Sequence, residues 1–93
     1  MINSFGCKET EKIWNREFST RFSKDIQKKA RRKLIMLDAA LTPIDLQIPP
    51  SNRLEKLKGD RKGYYSIQIN DQWRICFYFK NREVSGVEII DYY

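Results

Sequence analysis

Histidine is absent from the 93-residue sequence, cysteine occurs twice, glycine four times and proline three times. Without imidazole there is no histidine-bearing zinc site and no Ser-His-Asp triad. No side chain has an unperturbed pKa near neutrality, so any proton transfer must use other groups. Cys7 and Cys76 lie far apart and form no CxxC pair, which reads as two reduced, buried thiols rather than a disulfide framework. The longest apolar run is Ile75-Cys76-Phe77-Tyr78-Phe79, far short of the ~20 residues that span a bilayer. The opening Met1-Ile2-Asn3-Ser4-Phe5 lacks a signal-peptide pattern. No membrane partner is expected, and a cytoplasmic location is. No repeat or low-complexity tract divides residues 1–93, so they are read as one domain.

What the chain does contain is positive charge and a foldable core. Lys and Arg number 18 against 12 Asp and Glu, a net charge of +6. Hydrophobic residues make up 41% and aromatics 13%, the composition of a folded domain rather than a disordered tail. A chain of this length buries roughly 60–65% of its unfolded surface, enough for one small core. The basic excess then asks for an anionic partner.

The hydrophobic period changes along the chain. Ile26, Ala30, Leu34, Leu37 and Leu41 fall on one face of a helix at ~100° per residue. This predicts a helix over 23–40 with Ser23 as N-cap, Asp25 in its first turn, and a stop at Thr42-Pro43. A shorter helix is expected near Glu9–Asn15. From Tyr65 onward the period is two: Tyr65, Ile67 and Ile69, then Trp73, Ile75, Phe77 and Phe79, alternate with other residues. These read as two strands joined at Asn70-Asp71. A third strand over 84–92 follows a turn at 80–83, and Ile2–Phe5 is expected to add a strand. Ile48-Pro49-Pro50-Ser51 is read as extended or turning. The sum is a small α+β domain in β-α-α-β-β-β order.

Three features bear on chemistry. Lys28, Lys29, Arg31, Arg32 and Lys33 lie on the helix arc away from the apolar face, either tracking phosphates or forming an ordinary solvated face. Ile35 and Met36 also fall off the core-facing arc, toward a protein partner or a second packing layer. The loop Leu57-Lys58-Gly59-Asp60-Arg61-Lys62-Gly63 combines permissive glycines with three cations. It lacks P-loop spacing, and is otherwise a glycine-containing connection. Arg74 interrupts an apolar strand, pointing to the face opposite Trp73 and Ile75. It is read as an ion pair with Asp91, Glu88 or Glu55, or as an anion clamp whose rigid fork suits two phosphate oxygens. Asp91-Tyr92-Tyr93, at the end of the adjoining strand, offers a carboxylate and two phenols near it.

The stretch Asn52-Arg53-Leu54-Glu55-Lys56-Leu57-Lys58-Gly59-Asp60-Arg61, with Gly63, Ser66-Ile67, Asn70-Asp71-Gln72-Trp73-Arg74-Ile75-Cys76-Phe77 and Val87-Glu88-Ile89-Ile90-Asp91-Tyr92, closely resembles the HigB toxins of the RelE-like superfamily. The resemblance covers nearly the whole chain. It implies the RelE-like fold, with two N-terminal helices packed on a small, mainly antiparallel sheet. It also implies a ribosome-dependent endoribonuclease that cuts translated mRNA in the A site without metal or cofactor. The implied partners are the ribosome with its mRNA and a HigA-like helix-turn-helix antitoxin, with operator DNA reached only through the toxin–antitoxin complex.

Carried over by position, the resemblance makes Lys58 a group near the scissile phosphate and Arg74 the phosphate-stabilising arginine. Asp91 becomes an orienting carboxylate and Tyr92 a base-stacking ring. The basic loop and the basic arc of the helix, rather than the resemblance, make Arg61, Lys62, Lys28 and Arg32 the expected RNA contacts. Two positions depart from the pattern: Glu55 stands where some HigB toxins have histidine, and the usual terminal Asp-Tyr-His is here Asp91-Tyr92-Tyr93. Tyr93 is then the candidate proton-transfer group, although a reference pKa of ~10 requires nearby cations. The alternative is a catalytically weakened or inactive ribosome- or RNA-binding module that keeps the antitoxin interface.

Overall fold

The computed structural model describes residues 1–91. Two helices, α1 (Lys8–Trp14) and α2 (Lys24–Ala39), precede four strands: β1 (Glu55–Lys56), β2 (Tyr64–Gln68), β3 (Trp73–Lys80) and β4 (Glu83–Asp91). The strands form one antiparallel meander in the order β1-β2-β3-β4. This is the expected α+β architecture, with differences at its margins.

Helix α2 follows the apolar pattern: Ile26, Ala30, Leu34 and Leu37 are buried, and the Ser23 hydroxyl accepts from the Ile26 amide at 3.2 Å. The fifth apolar residue does not join them. Ala40 turns to extended dihedrals (φ −68°, ψ 136°), the helix ends, and Leu41 is 57% exposed. Thr42 and Asp45 then form a reciprocal capping box around a 3₁₀ turn at Pro43–Gln47, where the sequence pattern gives only a stop. Helix α1 is displaced by one residue from its expected bounds. It is tied to β4 by Thr10, whose Oγ1 accepts from the Ile89 amide at 3.0 Å.

The expected N-terminal strand is reduced to two isolated parallel bridges, Ile2 to Val84 and Phe5 to Val87. A register shift between Cys76 and Tyr78, opposite Gly86 at φ +61°, breaks the edge that this segment would otherwise follow. Strand β1, unanticipated, is two residues long, too short to show a period. The β2–β3 turn is held by Asn70 Oδ1, which accepts from the Gln72 and Trp73 amides at 2.9 and 2.8 Å. Between β3 and β4, Asn81 and Arg82 both take positive φ (51° and 67°), as a two-residue hairpin twisted with its strands requires.

The pleat divides the sheet chemically. Ile67, Ile75, Phe77, Val87 and Ile89 join the α2 residues in one core cluster, with Phe22 edge-on to Trp73 at 5.1 Å between ring centroids. On the opposite face the register aligns Glu55 with Ser66, Ser66 with Cys76, and Cys76 with Glu88. Arg74 is one step along this polar row, between Gln68 and Ile90. The candidate site is therefore built on the sheet face turned away from the helices.

Candidate active site

Arg74 is 4% exposed, as deep as many core residues, and its position on β3 aims it into the polar row. A buried guanidinium is costly unless its donors are matched, and the fork is matched closely. Nε donates to Ser66 Oγ at 2.9 Å. Nη2 donates to the Ser66 carbonyl at 3.2 Å and the Arg53 carbonyl at 2.6 Å. Nη1 faces Glu55 Oε1 at 3.9 Å, and that carboxylate side chain is 46% exposed. Glu55, one of the expected ion-pair partners, stands opposite Arg74.

Around this cation the face is aromatic and basic. Tyr64 and Tyr78 meet edge to face at 5.2 Å. The Arg61 guanidinium lies 5.9 Å from the Tyr64 ring centroid and its Nη1 donates to Cys76 Sγ at 3.4 Å. Burial pushes the Cys76 thiol above its ordinary pKa, with Arg61 opposing that shift, so Cys76 is a buried thiol rather than a poised nucleophile. Cys7 and Cys76 are both free, and only Cys76 is buried as expected; Cys7, at the N-cap of α1, is partly exposed. Lys58 opens the 3₁₀ turn Gly59–Arg61. With Lys56 and Lys62 it borders a hollow of about 330 Å³, and three lysines about one concavity attract anions.

The remaining predicted residues divide. Asp91, the last described residue of β4, stands opposite Trp73 in the β3–β4 ladder, and its Oδ2 accepts from Gln72 Nε2 at 3.1 Å. Tyr92 and Tyr93 lie outside the described residues. Lys28 and Arg32 are exposed on α2, whose apolar side packs on the other face of the sheet. The structure does not bring them together with Arg74. Lys33 is not part of the open basic arc: Nζ donates to Asn52 Oδ1, and burial lowers its pKa. Among the described residues no group of three His, Cys, Asp or Glu side chains is placed to hold a metal ion.

Sequence reasoning missed Ser66 and the Arg53 carbonyl as partners of Arg74. Alternation about the β2–β3 turn carries the signal for Ser66. No sequence signal marks a carbonyl.

Comparison with known proteins fits this arrangement. A family model described as the RelE-like toxin HigB of type II toxin–antitoxin systems matches residues 3–93. The chain belongs to the HigB-like toxin family. Toxin HigB-1 of Vibrio cholerae serotype O1 is 48% identical to this HigB-like chain over 61 residues, 66% of this chain and 60% of the relative. Endoribonuclease HigB of Proteus vulgaris is 44% identical over 41 residues, 44% of this chain and 45% of that protein. The matched stretches thus span about half of these relatives' lengths. In fold, the HigB-like chain resembles a mutant of YafQ from E. coli (TM-score 0.66, 15% identity, 99% and 92% of the two chains). It also resembles the heterotetrameric YoeB-YefM toxin-antitoxin complex of Staphylococcus aureus (TM-score 0.64, 21% identity, 100% and 98%).

Proposed function

We propose that this HigB-like toxin is a ribosome-dependent endoribonuclease acting on translated mRNA in the A site, with Arg74 as its phosphate-stabilising group. The observation that carries the reading is the Arg74 fork. Two of its nitrogens are fixed by Ser66 and the Arg53 carbonyl, while the third faces a half-exposed carboxylate. An RNA phosphate arriving on that side competes with Glu55 for Nη1 and meets a cation already oriented, the arrangement that stabilises charge developing in a transition state.

In the proposed reaction the ribose 2′-oxygen attacks the adjacent phosphorus and the P–O5′ bond breaks, leaving a 2′,3′-cyclic phosphate and a 5′-hydroxyl. The 2′-hydroxyl proton passes to a base and a proton is delivered to O5′. Lys58 and Tyr93 are the groups assigned to proton transfer and charge stabilisation, Asp91 orients the site, and Tyr92 stacks on a base. This route requires no metal or cofactor. Arg61 and Lys62 contact the RNA beside Arg74, whereas Lys28 and Arg32 serve ribosome docking from the α2 side. The setting is cytoplasmic, and the neutralising partner is a HigA-like antitoxin through which operator DNA is reached.

Primer extension on translated mRNA tests this reading. Arg74→Ala is expected to abolish ribosome-dependent cuts and growth inhibition while the antitoxin still co-purifies; cutting retained by a well-expressed variant would contradict the role of Arg74. One observation favours a second reading, a weakened ribosome-binding module: Tyr93 occupies the usual place of the terminal histidine. Translation arrest without cuts, together with a large gain of cleavage in Tyr93→His, would select it. No gain would indicate that Tyr93 suffices.

A further inference from the structure

Arg53 adopts the left-handed conformation (φ 45°, ψ 56°), which disfavours any residue with a Cβ. Its side chain is exposed and gives no local reason for the strain. Its carbonyl does, since it accepts from Arg74 Nη2 at 2.6 Å. The turn Pro50–Asn52 delivers Arg53 to this place: the Asn52 amide bonds to the Pro49 carbonyl at 2.9 Å and the Arg53 amide to the Pro50 carbonyl at 3.0 Å.

Asn52 anchors that turn. It is 0% exposed, and its side-chain amide is matched at both ends. Nδ2 donates to the Leu46 carbonyl at 3.1 Å and lies 3.8 Å from Met36 Sδ. Oδ1 accepts from Lys33 Nζ. One buried amide thus joins α2, the Pro43–Gln47 turn and the residue preceding Arg53. Removing either end leaves a buried polar group without its partner, which costs more than a bond lost at the surface.

We propose that Asn52 and the backbone carbonyl of Arg53 are positioning groups for Arg74: Asn52 holds the left-handed turn, and the turn fixes the fork on the side opposite the incoming phosphate. This inference rests on the proposed function, and it extends the site from the sheet face into the loop before β1. Arg53 contributes through its backbone conformation, so substitutions that differ only in tolerance for that conformation isolate the effect. Glycine adopts it freely, and a β-branched residue strongly resists it.

The test compares Arg53→Val with Arg53→Gly, both lacking the Arg53 guanidinium. Two quantities are followed, the ¹H–¹⁵N signal of Arg74 Nε–H and the ribosome-dependent cleavage rate. Relative to Arg53→Gly, Arg53→Val is expected to shift the Arg74 signal and speed its solvent exchange. It should also lower the maximal cleavage rate on the order of 10- to 100-fold, with half-saturating ribosome concentration within about twofold, as expected when a catalytic group is misplaced. Equal rates and an Arg74 signal identical in the two variants would overturn the proposal. Asn52→Asp keeps an acceptor for Lys33 but removes the donor to Leu46, so it should move the Arg74 signal as Arg53→Val does. A folded Asn52→Asp protein with the parental signal would remove Asn52 from the scheme, and if that variant does not fold the Arg53 pair still decides. Should the parental chain cut no mRNA, the functional reading falls while the Arg74 signals continue to report on positioning.

Discussion

Gly63 sits beside the aromatic pair of the open face, at φ +88°, and a Cβ there would lie 2.5 Å from Tyr78 Cε1. Gly59 in the same loop has a similar φ of +71° with nothing within 4 Å of the added atom. The two glycines separate backbone strain from steric crowding. Gly59→Ala should cost about 1–2 kcal/mol, the left-handed penalty alone. Gly63→Ala should cost about 2–4 kcal/mol, because an overpacked contact adds to the same penalty. Paired thermal melts measure the difference; equal losses would mean that Tyr78 moves aside freely. Residue identity alone reveals that both are glycines in a basic loop, and the ring against Gly63 is supplied by a strand fifteen positions away.

At the scale of elements, local rules account for most boundaries. Ser23 caps α2 through the bond to the Ile26 amide, so Ser23→Ala should destabilise the protein by about 1 kcal/mol in urea unfolding, whereas Ser23→Asp should retain most of the cap. The next turn carries a pH dependence. Asp45 is held below its ordinary value of 3.8 by bonds from the Leu41 and Thr42 amides, with a further contribution from the Thr42 side chain. A carboxylate with a depressed folded pKa contributes stability that is full above its unfolded value and is lost as pH falls through the folded one. Asp45→Asn should therefore flatten the decline in melting temperature below about pH 4, the unfolded value of an aspartate, and change the slope little above pH 6. An unchanged acid limb would show that the capping bonds do not persist in solution. Helix α2, the β2–β3 hairpin and the β3–β4 turn were legible because their signals lie within a few residues. Strand β1 was not, since two residues carry no period and its pairing depends on β2. Leu41 misled for a related reason: its spacing extends the helical face, but Thr42-Pro43 ends the helix before it.

For the molecule as a whole, one sheet separates two environments. Leu34 is 0% exposed on the face where α2 meets β2, β3 and β4, and Leu34→Ala should cost about 2–5 kcal/mol. In urea this appears as a lower midpoint with an unchanged slope. A reduced slope would instead indicate loss of two-state behaviour. The opposite face carries Arg74 over Ser66, Cys76 and the Tyr64–Tyr78 pair. The same pleat that hides Ile75 in the core thus presents Arg74 to the candidate site.

The sequence by itself determined the class of fold, the apolar face of α2, the hairpin, the positive balance suited to an anionic partner, and Arg74 as a candidate site residue. Those properties are written in composition, in hydrophobic period and in short turn motifs, all of which act over neighbouring residues. Only the tertiary structure decided that Glu55 faces Arg74, that Lys33 turns inward to Asn52, and that Lys28 and Arg32 belong to a different surface from Arg74. It alone turned the Arg53 carbonyl toward the guanidinium. Such matters depend on strand register and on backbone atoms common to every residue, so they have no letter in the sequence and arise when distant segments are packed together.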